Sequence, residues 1–283
     1  MTPPRAVALF TRSYPGEMTP AVGRVVDELI AAAVEVRVTS EEVEKHRLEE
    51  RPGLVVGSDA VAGADVGVAM GGDGTFLSAL RAFAGSGAPV FAFNYGAVGF
   101  LATVEDLDDG VRRLLSGDYE TLAMPVLTAD VDGAARVAVN DISFHRRANE
   151  RVAELAYSVE GEQLGRVRCD GLVASTPAGS TGYNLANGGP VLAWGVEGFV
   201  VSFIAPHTLT ARALVVATNA VLTVQNLSHL HGVDVTTDGR TVGSLDPGRQ
   251  IDVRFRDEQA LLAQAPGTTF YARLRSKFGH LAS

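Results

Sequence analysis

The sequence predicts an α/β domain with a mostly parallel sheet in its first half and an antiparallel all-β domain in its second. Three observations lead there. Residues 65–70 (DVGVAM) are an apolar run with β-branched members, a glycine turn follows, and Phe76, Leu77, Leu80 and Phe83 then recur at helical spacing. Similar strands and helices alternate on either side of this segment, the pattern of a parallel sheet. From Glu120 onward the texture changes to short alternating runs separated by Gly, Asp and Asn, the pattern of antiparallel strands.

Taken in order, residues 6–10 (AVALF) form a first strand and Pro15 with Gly16 marks a loop. A helix is expected from Thr19 or Pro20 to Ala33, with Val22, Val25, Val26, Leu29 and Ile30 facing inward. Residues 34–38 alternate as a strand. The charged run 41–51 reads as a solvated helix or a mobile loop and is assigned no chemistry. Residues 89–94 (PVFAFN) form the strand after the glycine turn, and a helix runs from about Val104 to Leu115. Ligands of such sheets gather at the carboxyl ends of the strands, where Gly71 and Asn94 both fall.

In the second half, strands are expected at 126–131, 135–139, 153–159, 172–175, 199–204, 221–225, 233–237 and 251–256, and residues 270–278 look helical. The division is therefore an α/β domain over 1–117, a β-rich domain over 118–265, and a C-terminal helix within 266–283 that packs back on the first domain.

Composition narrows the function. A net charge of −9 argues against a nucleic-acid partner, whose phosphates demand a basic face. One cysteine, Cys169, allows no intramolecular disulfide. No apolar segment follows Met1-Thr2-Pro3-Pro4-Arg5 as a secretory signal would require, and the most apolar stretch, 191–205, is broken by Glu197 and glycines. The expectation is a cytoplasmic protein with no membrane partner.

The glycine turn carries the chemistry. Gly71, Gly72 and Gly74 remove the side chains that would keep a ligand from the backbone, and the turn opens a helix whose first N–H groups can meet phosphate oxygens. Asp73 is out of place among phosphates unless it holds a metal ion or takes a proton from an attacking hydroxyl. The bland alternative is a tight turn with Asp73 capping the helix. Gly-Gly-Asp-Gly-Thr at 71–75 resembles the signature of the superfamily of NAD kinases, diacylglycerol kinases and phosphofructokinases.

Further segments select the branch. Residues 94–101 (NYGAVGFL) are similar to the Asn-x-Gly-x-x-Gly-Phe-Leu segment of NAD kinases, with Tyr95 where an aliphatic residue is common. Asn94 either hydrogen-bonds a ribose or closes the loop, whereas Phe100 and Leu101 suit packing. Residues 170–186 resemble the NAD kinase Asp-Gly…Ser-Thr-Pro-Thr-Gly-Ser-Thr-Ala-Tyr block closely, departing at Ala178 and Gly182. The block offers hydroxyls and N–H groups to phosphate or ribose, and a tyrosine to stack on a purine. Asn140-Asp141 resembles the family's ribose-binding pair, though Asn-Asp is also ordinary turn chemistry. Residues 205–212 and the Asp238-Gly239-Arg240 turn follow in the family's order, although Asp-Gly alone needs no ligand.

The resemblance implies an NAD kinase-like fold and phosphorylation of the adenosine ribose 2′-hydroxyl of NAD to give NADP. It implies Asp73 as the base and Gly72, Gly74 and Thr75 as holders of donor phosphates. It implies dinucleotide contacts from Asn94, Asn140, Asp141, Arg168, Asp170, Thr181, Gly182, Tyr183, Asn184, Ala186, Ala205 and Arg240. The donor is ATP or polyphosphate with Mg²⁺ or another divalent cation, and the assembly a homodimer or homotetramer, with Trp194, Phe199 and Phe203 as a candidate interface patch or plain core. A lipid kinase sharing the turn and a catalytically silent NAD-binding sensor are the alternatives. A P-loop is excluded because neither lysine, Lys45 nor Lys277, follows a glycine. No protein-kinase lysine and His-Arg-Asp set, Rossmann Gly-x-Gly-x-x-Gly after the first strand, Gly-x-Ser-x-Gly elbow at Ser180 or close histidine spacing for a metal is present.

Overall fold

The computed structural model describes residues 3–14, 16–95 and 99–279; Pro15 and Gly96, Ala97 and Val98 of the second turn lie outside them. The chain divides into two compact units, Met1–Ala123 with Ala260–Ser283, and Met124–Gln259.

In the first unit, β1 (Ala6–Thr11), α1 (Thr19–Ala31), β2 (Glu35–Val38), α2 (Ser40–His46), β3 (Leu54–Val56), β4 (Val66–Gly71), α3 (Asp73–Phe83), β5 (Pro89–Asn94) and α4 (Leu107–Ser116) alternate as the pattern predicts, with β3, a three-residue strand, added to it. The five strands pair in the order β5-β4-β1-β2-β3, all parallel. Every residue of the central β4 is buried, which is why that stretch reads as an unbroken apolar run. The core joins Val7, Leu9, Val68, Phe91 and Phe93 of the sheet to Val22, Val25, Val26 and Leu29 of α1. Strand order reverses between β1 and β4, and in the β4–β5 register Gly71 stands opposite Asn94. The glycine turn thus leaves the sheet at the carboxyl end beside the switch point, where α/β sheets place their ligands.

Two expectations for this unit need correction. Helix α4 starts at Leu107 rather than near Val104, because Asp106 caps it through the Asp109 N–H (2.8 Å). Val104 itself bridges Phe93. The charged run is helical only as far as His46, with loop after it, and its helix is not wholly solvated. That helix is α2, whose Glu42 and His46 are buried against the carboxyl end of β1. Thr11 Oγ1 donates to Glu42 Oε2 (2.5 Å), so it must accept from His46 Nε2 (2.8 Å) and Lys45 Nζ (3.2 Å), while Thr19 Oγ1 lies 3.2 Å from His46 Nδ1. Lys45 also donates to Glu42 Oε1 (2.9 Å). This set satisfies a neutral imidazole with its proton on Nε2.

The second unit has β6 (Glu120–Val131), β7 (Ala134–Ala138), β8 (Asp141–Arg146), β9 (Ala153–Val159), β10 (Glu162–Cys169), β11 (Gly171–Ser175), the single-turn α5 (Tyr183–Ala186), β12 (Gly198–Ile204), β13 (Leu214–Ala217), β14 (Val221–Asn226), β15 (Val233–Thr237), β16 (Arg240–Leu245) and β17 (Gln250–Gln264). One antiparallel sheet runs β10-β9-β14-β17, with β6, which enters this unit at Met124, beside β17 and β7 beside β6; the other runs β13-β12-β11-β8-β15-β16. Both line one core, in which Leu155, Leu222 and Val253 meet Phe144, Leu172 and Phe199. Four strands, β8, β10, β13 and β16, were not expected from the pattern. Three of them end their sheets, so their outward residues carry no apolar alternation. The last strand outruns its expected end at Arg256; from Ala260 it belongs to the first unit, where Leu261 and Leu262 pair in parallel with Pro89 and Val90. The C-terminal helix (Phe270–Phe278) is in that unit too.

Burial lowers the His46 pKa below its usual 6.5, with Glu42 opposing and Lys45 assisting. The unfolded chain therefore takes up the proton first as pH falls, and the histidine's stabilising contribution is lost below about 6.5. The stability advantage of wild type over His46→Gln should shrink between pH 7.5 and pH 5 in urea melts; a constant gap would mean that the ring titrates alike in both states.

Candidate functional site

The first unit carries the reactive turn. Gly72, in extended conformation, is the N-cap of α3 and makes no side-chain cap bond; Asp73 is the first helical residue. Its carboxylate does not cap the helix. It accepts instead from the N–H groups of Phe100 (Oδ2, 3.2 Å) and Leu101 (Oδ1, 3.3 Å), and Lys277 Nζ lies 3.6 Å from Oδ2. A Cβ on Gly99 would collide with the carboxylate, so this loop approaches only because residue 99 has no side chain. Gly71 is needed similarly, since a Cβ there would press on Thr75 Oγ1, while Gly72 and Gly74 face open space. The Thr75 N–H already donates to the Gly72 carbonyl (2.9 Å), so a phosphate finds only its hydroxyl. Asn94 donates its backbone N–H to Val104, and its side-chain Oδ1 is buried without a protein partner among the described residues. Phe100 and Leu101 are buried, as packing residues should be, yet their N–H groups hold the Asp73 carboxylate.

The second unit gathers most of the expected dinucleotide residues around β8 and β11. Asp238, at a positive φ of 46°, turns its carboxylate onto three successive N–H groups: Val139 (3.1 Å), Asn140 (2.7 Å) and Asp141 (3.1 Å). The Asn140 carbonyl accepts from Thr176 N (2.9 Å), and Gly179 packs so closely on it that no Cβ would fit. Asp141 is buried, and burial first, then Asp238, pushes its carboxyl up to about 7 against a Ser143 hydrogen bond.

Tyr183 is not a core residue: it is 36% exposed, with one ring face stacked on His145 at 5.6 Å and 14°. Burial, then Asp141 and Asp170, raise its hydroxyl pKa, which places both carboxylates near the ring. Thr181 hydrogen-bonds the Ala178 carbonyl (3.1 Å), whereas Gly182 and Ala186 are exposed. Asn184 is fully buried and its amide donates to the carbonyls of Ser180 (3.0 Å) and Pro190 (2.9 Å), so it braces the turn. Ala205 is exposed at a φ of 43°, and Arg240 is exposed at the start of β16. Phe199 and Phe203 are core residues, the second of the two alternatives for the aromatic patch, while Trp194 is half-buried.

Several residues escaped the sequence reading. Asp170 is ion-paired with Arg146, and with Glu150, Arg151, Arg168 and His207 they line an open cavity of about 590 Å³. Three arginines and a histidine against the two carboxylates of Glu150 and Asp170 leave a positive excess that suits an anionic ligand. Clustered basic residues at 146–151 were the available signal. Lys277 and Arg273 carried none, because nothing in sequence joins them to Asp73.

Comparison with known proteins identifies the family. Residues 10–119 match the model of the ATP-NAD kinase N-terminal domain and residues 139–264 that of the C-terminal domain. A Citrifermentans bemidjiense NAD kinase is 30% identical over 281 residues, covering 96% of this chain and 98% of that protein. The chain belongs to the NAD kinase family. A Gemmatimonas aurantiaca NAD kinase is 35% identical over 223 residues, 76% of this chain and 77% of its own. Among solved NAD kinase structures, the one from Archaeoglobus fulgidus in complex with ATP superposes with a TM-score of 0.74 at 26% identity, covering 97% of each chain. The yeast NADH kinase complexed with NADH shares the fold at a TM-score of 0.89 and 24% identity, over 99% of this chain and 89% of that one.

Asp141 supplies a test of the second unit. Its raised pKa means that the native carboxyl resists an ionisation the unfolded chain undergoes from about 3.8, so it costs stability increasingly as pH rises towards 7. Asp141→Asn should therefore stabilise the protein at pH 8 by on the order of 1 kcal/mol or more and have little effect near pH 4. Thermal melts at both pH values check this; destabilisation at pH 8 would contradict the assigned burial cost.

Proposed function

We propose that the chain transfers a phosphoryl group to the 2′-hydroxyl of the adenosine ribose of NAD, giving NADP. The observation that carries this reading is the Asp73 carboxylate. It stands at the first turn of α3 beyond the carboxyl end of β4, held by two backbone N–H groups outside the helix rather than used as a cap. A carboxylate held this way is oriented, and lone pairs remain to accept the proton of an attacking hydroxyl directly or through a water. Alignment supplies most of the acceleration in such a transfer.

The second unit supplies the holders of the dinucleotide. Asn140, Asp141 and Asp170 offer acceptors and donors to ribose, the exposed face of Tyr183 stacks on a purine, and the arginines beside Asp170 meet phosphate. Gly72, Gly74 and the Thr75 hydroxyl receive the donor's phosphates. The ATP complex of the Archaeoglobus fulgidus relative supports ATP as a donor, with polyphosphate the alternative. A divalent ion such as Mg²⁺ neutralises those phosphates when bound. Among the described residues no three His, Cys, Asp or Glu side chains cluster to hold a metal, so such an ion would rest on phosphate oxygens with at most Asp73 from the turn. We place the enzyme in the cytoplasm as a homodimer or homotetramer, paired through β13, a sheet-end strand that exposes Leu214 and Val215. Among the described residues no helix is long and apolar enough to cross a membrane.

Asp73→Asn should bind NAD in calorimetric titration much as wild type does, yet lose about 10² to 10⁴-fold in turnover when NADP formation is followed with ATP and with polyphosphate. Near wild-type kcat would remove Asp73 from the chemistry. For Tyr183→Ala, NAD affinity should fall while the melting temperature barely moves, since an exposed ring contributes little to the core; the reverse pattern would reject stacking.

A further inference from the structure

We infer that Lys277, on the C-terminal helix, is a positioning residue of the phosphoryl-transfer turn: it fixes the Asp73 carboxylate and offsets its charge where donor phosphates must approach. This rests on the kinase reading and extends it to a residue that the turn itself does not contain.

The C-terminal helix is built to deliver this charge. Thr269 caps it by accepting the Ala272 N–H (3.2 Å), and Phe270 and Leu274 anchor it in buried contact. Its next turns close on Phe100, the residue whose N–H holds Asp73 Oδ2. Arg273 Nη1 donates to the Phe100 carbonyl (2.6 Å), and the rings of Phe270 and Phe278 lie 6.3 and 5.8 Å from the Phe100 ring. Lys277, four residues after Arg273 and so on the same helix face, sets its ammonium 5.0 Å above that ring and 3.6 Å from Asp73 Oδ2. Phe100 is thereby fixed at its carbonyl, ring and N–H, and the carboxylate it orients receives a cation at the same oxygen.

Two features separate this from an incidental ion pair. Lys277 and Asp73 are each about one-third exposed (34% and 31%), so the pair is open to a ligand and adds little to folding stability. Anchoring of the helix does not need the ammonium, because Phe270 and Leu274 supply the burial and Arg273 the backbone hydrogen bond. The chain has only two lysines among its 24 basic residues, and the other, Lys45, is taken up by Glu42 and Thr11.

The test compares the full-length wild-type chain with Lys277→Met and Lys277→Arg, measuring NADP formation with NAD and ATP alongside thermal melting. Lys277→Met should lose on the order of 10²-fold in kcat, as loss of one preorganised electrostatic contact does. Its KM for NAD should stay within about twofold, since the dinucleotide holders are untouched. The melting temperature should stay within about 2 °C of wild type, and Lys277→Arg should recover most of the rate. Wild-type kcat in Lys277→Met would overturn the proposal, as would a loss that follows a collapse in melting temperature and is not recovered by Arg. Absence of NADP formation by the wild-type chain would instead overturn the kinase reading, and the role of Lys277 with it.

Discussion

A half-buried carboxylate kept in one orientation by backbone amides is the constraint on which the first unit turns. Asp73 begins α3, where the helix dipole already favours negative charge, yet its side chain reaches across to Phe100 and Leu101. That bond exists only because Gly99 leaves room, because Phe100 is buried, and because the C-terminal helix closes on Phe100. A residue at the start of a helix is thus set by a loop about thirty residues later and by the end of the chain. The glycines of the turn play distinct parts: Gly71 accommodates Thr75, whereas Gly72 and Gly74 leave the backbone open.

The second unit uses the same device for a different end. The Asp238 carboxylate captures three consecutive N–H groups and so dictates the backbone path on which Asn140 and Asp141 are presented. A carboxylate buried beside another carries an electrostatic cost, visible in the raised Asp141 pKa. Under the proposed function Asn140 and Asp141 hold the dinucleotide, and accepting such a cost there is the expected compromise between stability and function. The Thr11, Glu42, Lys45 and His46 cluster shows the opposite outcome: every buried polar group finds a partner, and the result is a neutral histidine that braces β1 against α2.

Local pattern served best where burial is regular. β4 is covered on both faces, so its apolar run was plain in the sequence, and α1, buried along one face, showed that face as a stripe at Val22, Val25, Val26 and Leu29. It served poorly at sheet ends, where β10 exposes Leu164 and β13 exposes Leu214 and Val215 so that polarity does not track burial, and at charged segments such as α2, whose burial depends on partners 30 or more residues away. The expected site divides likewise. Asp73, Asn140, Asp141, Asp170 and Tyr183 lie in contiguous motifs and were legible as candidates; Lys277 comes beside Asp73, and Arg146 beside Asp170, only through folding.

By itself, then, the sequence determined the α/β-then-β order, the glycine turn with its carboxylate, and the blocks that resemble NAD kinases, because each is written in adjacent residues or in a short period. Tertiary structure alone decided what the Asp73 carboxylate bonds to, which of the expected residues brace and which are exposed, and that Lys277 stands beside the turn. Those outcomes depend on distance in space between groups up to about two hundred positions apart, as Asp73 and Lys277 are, and no local period encodes such a distance.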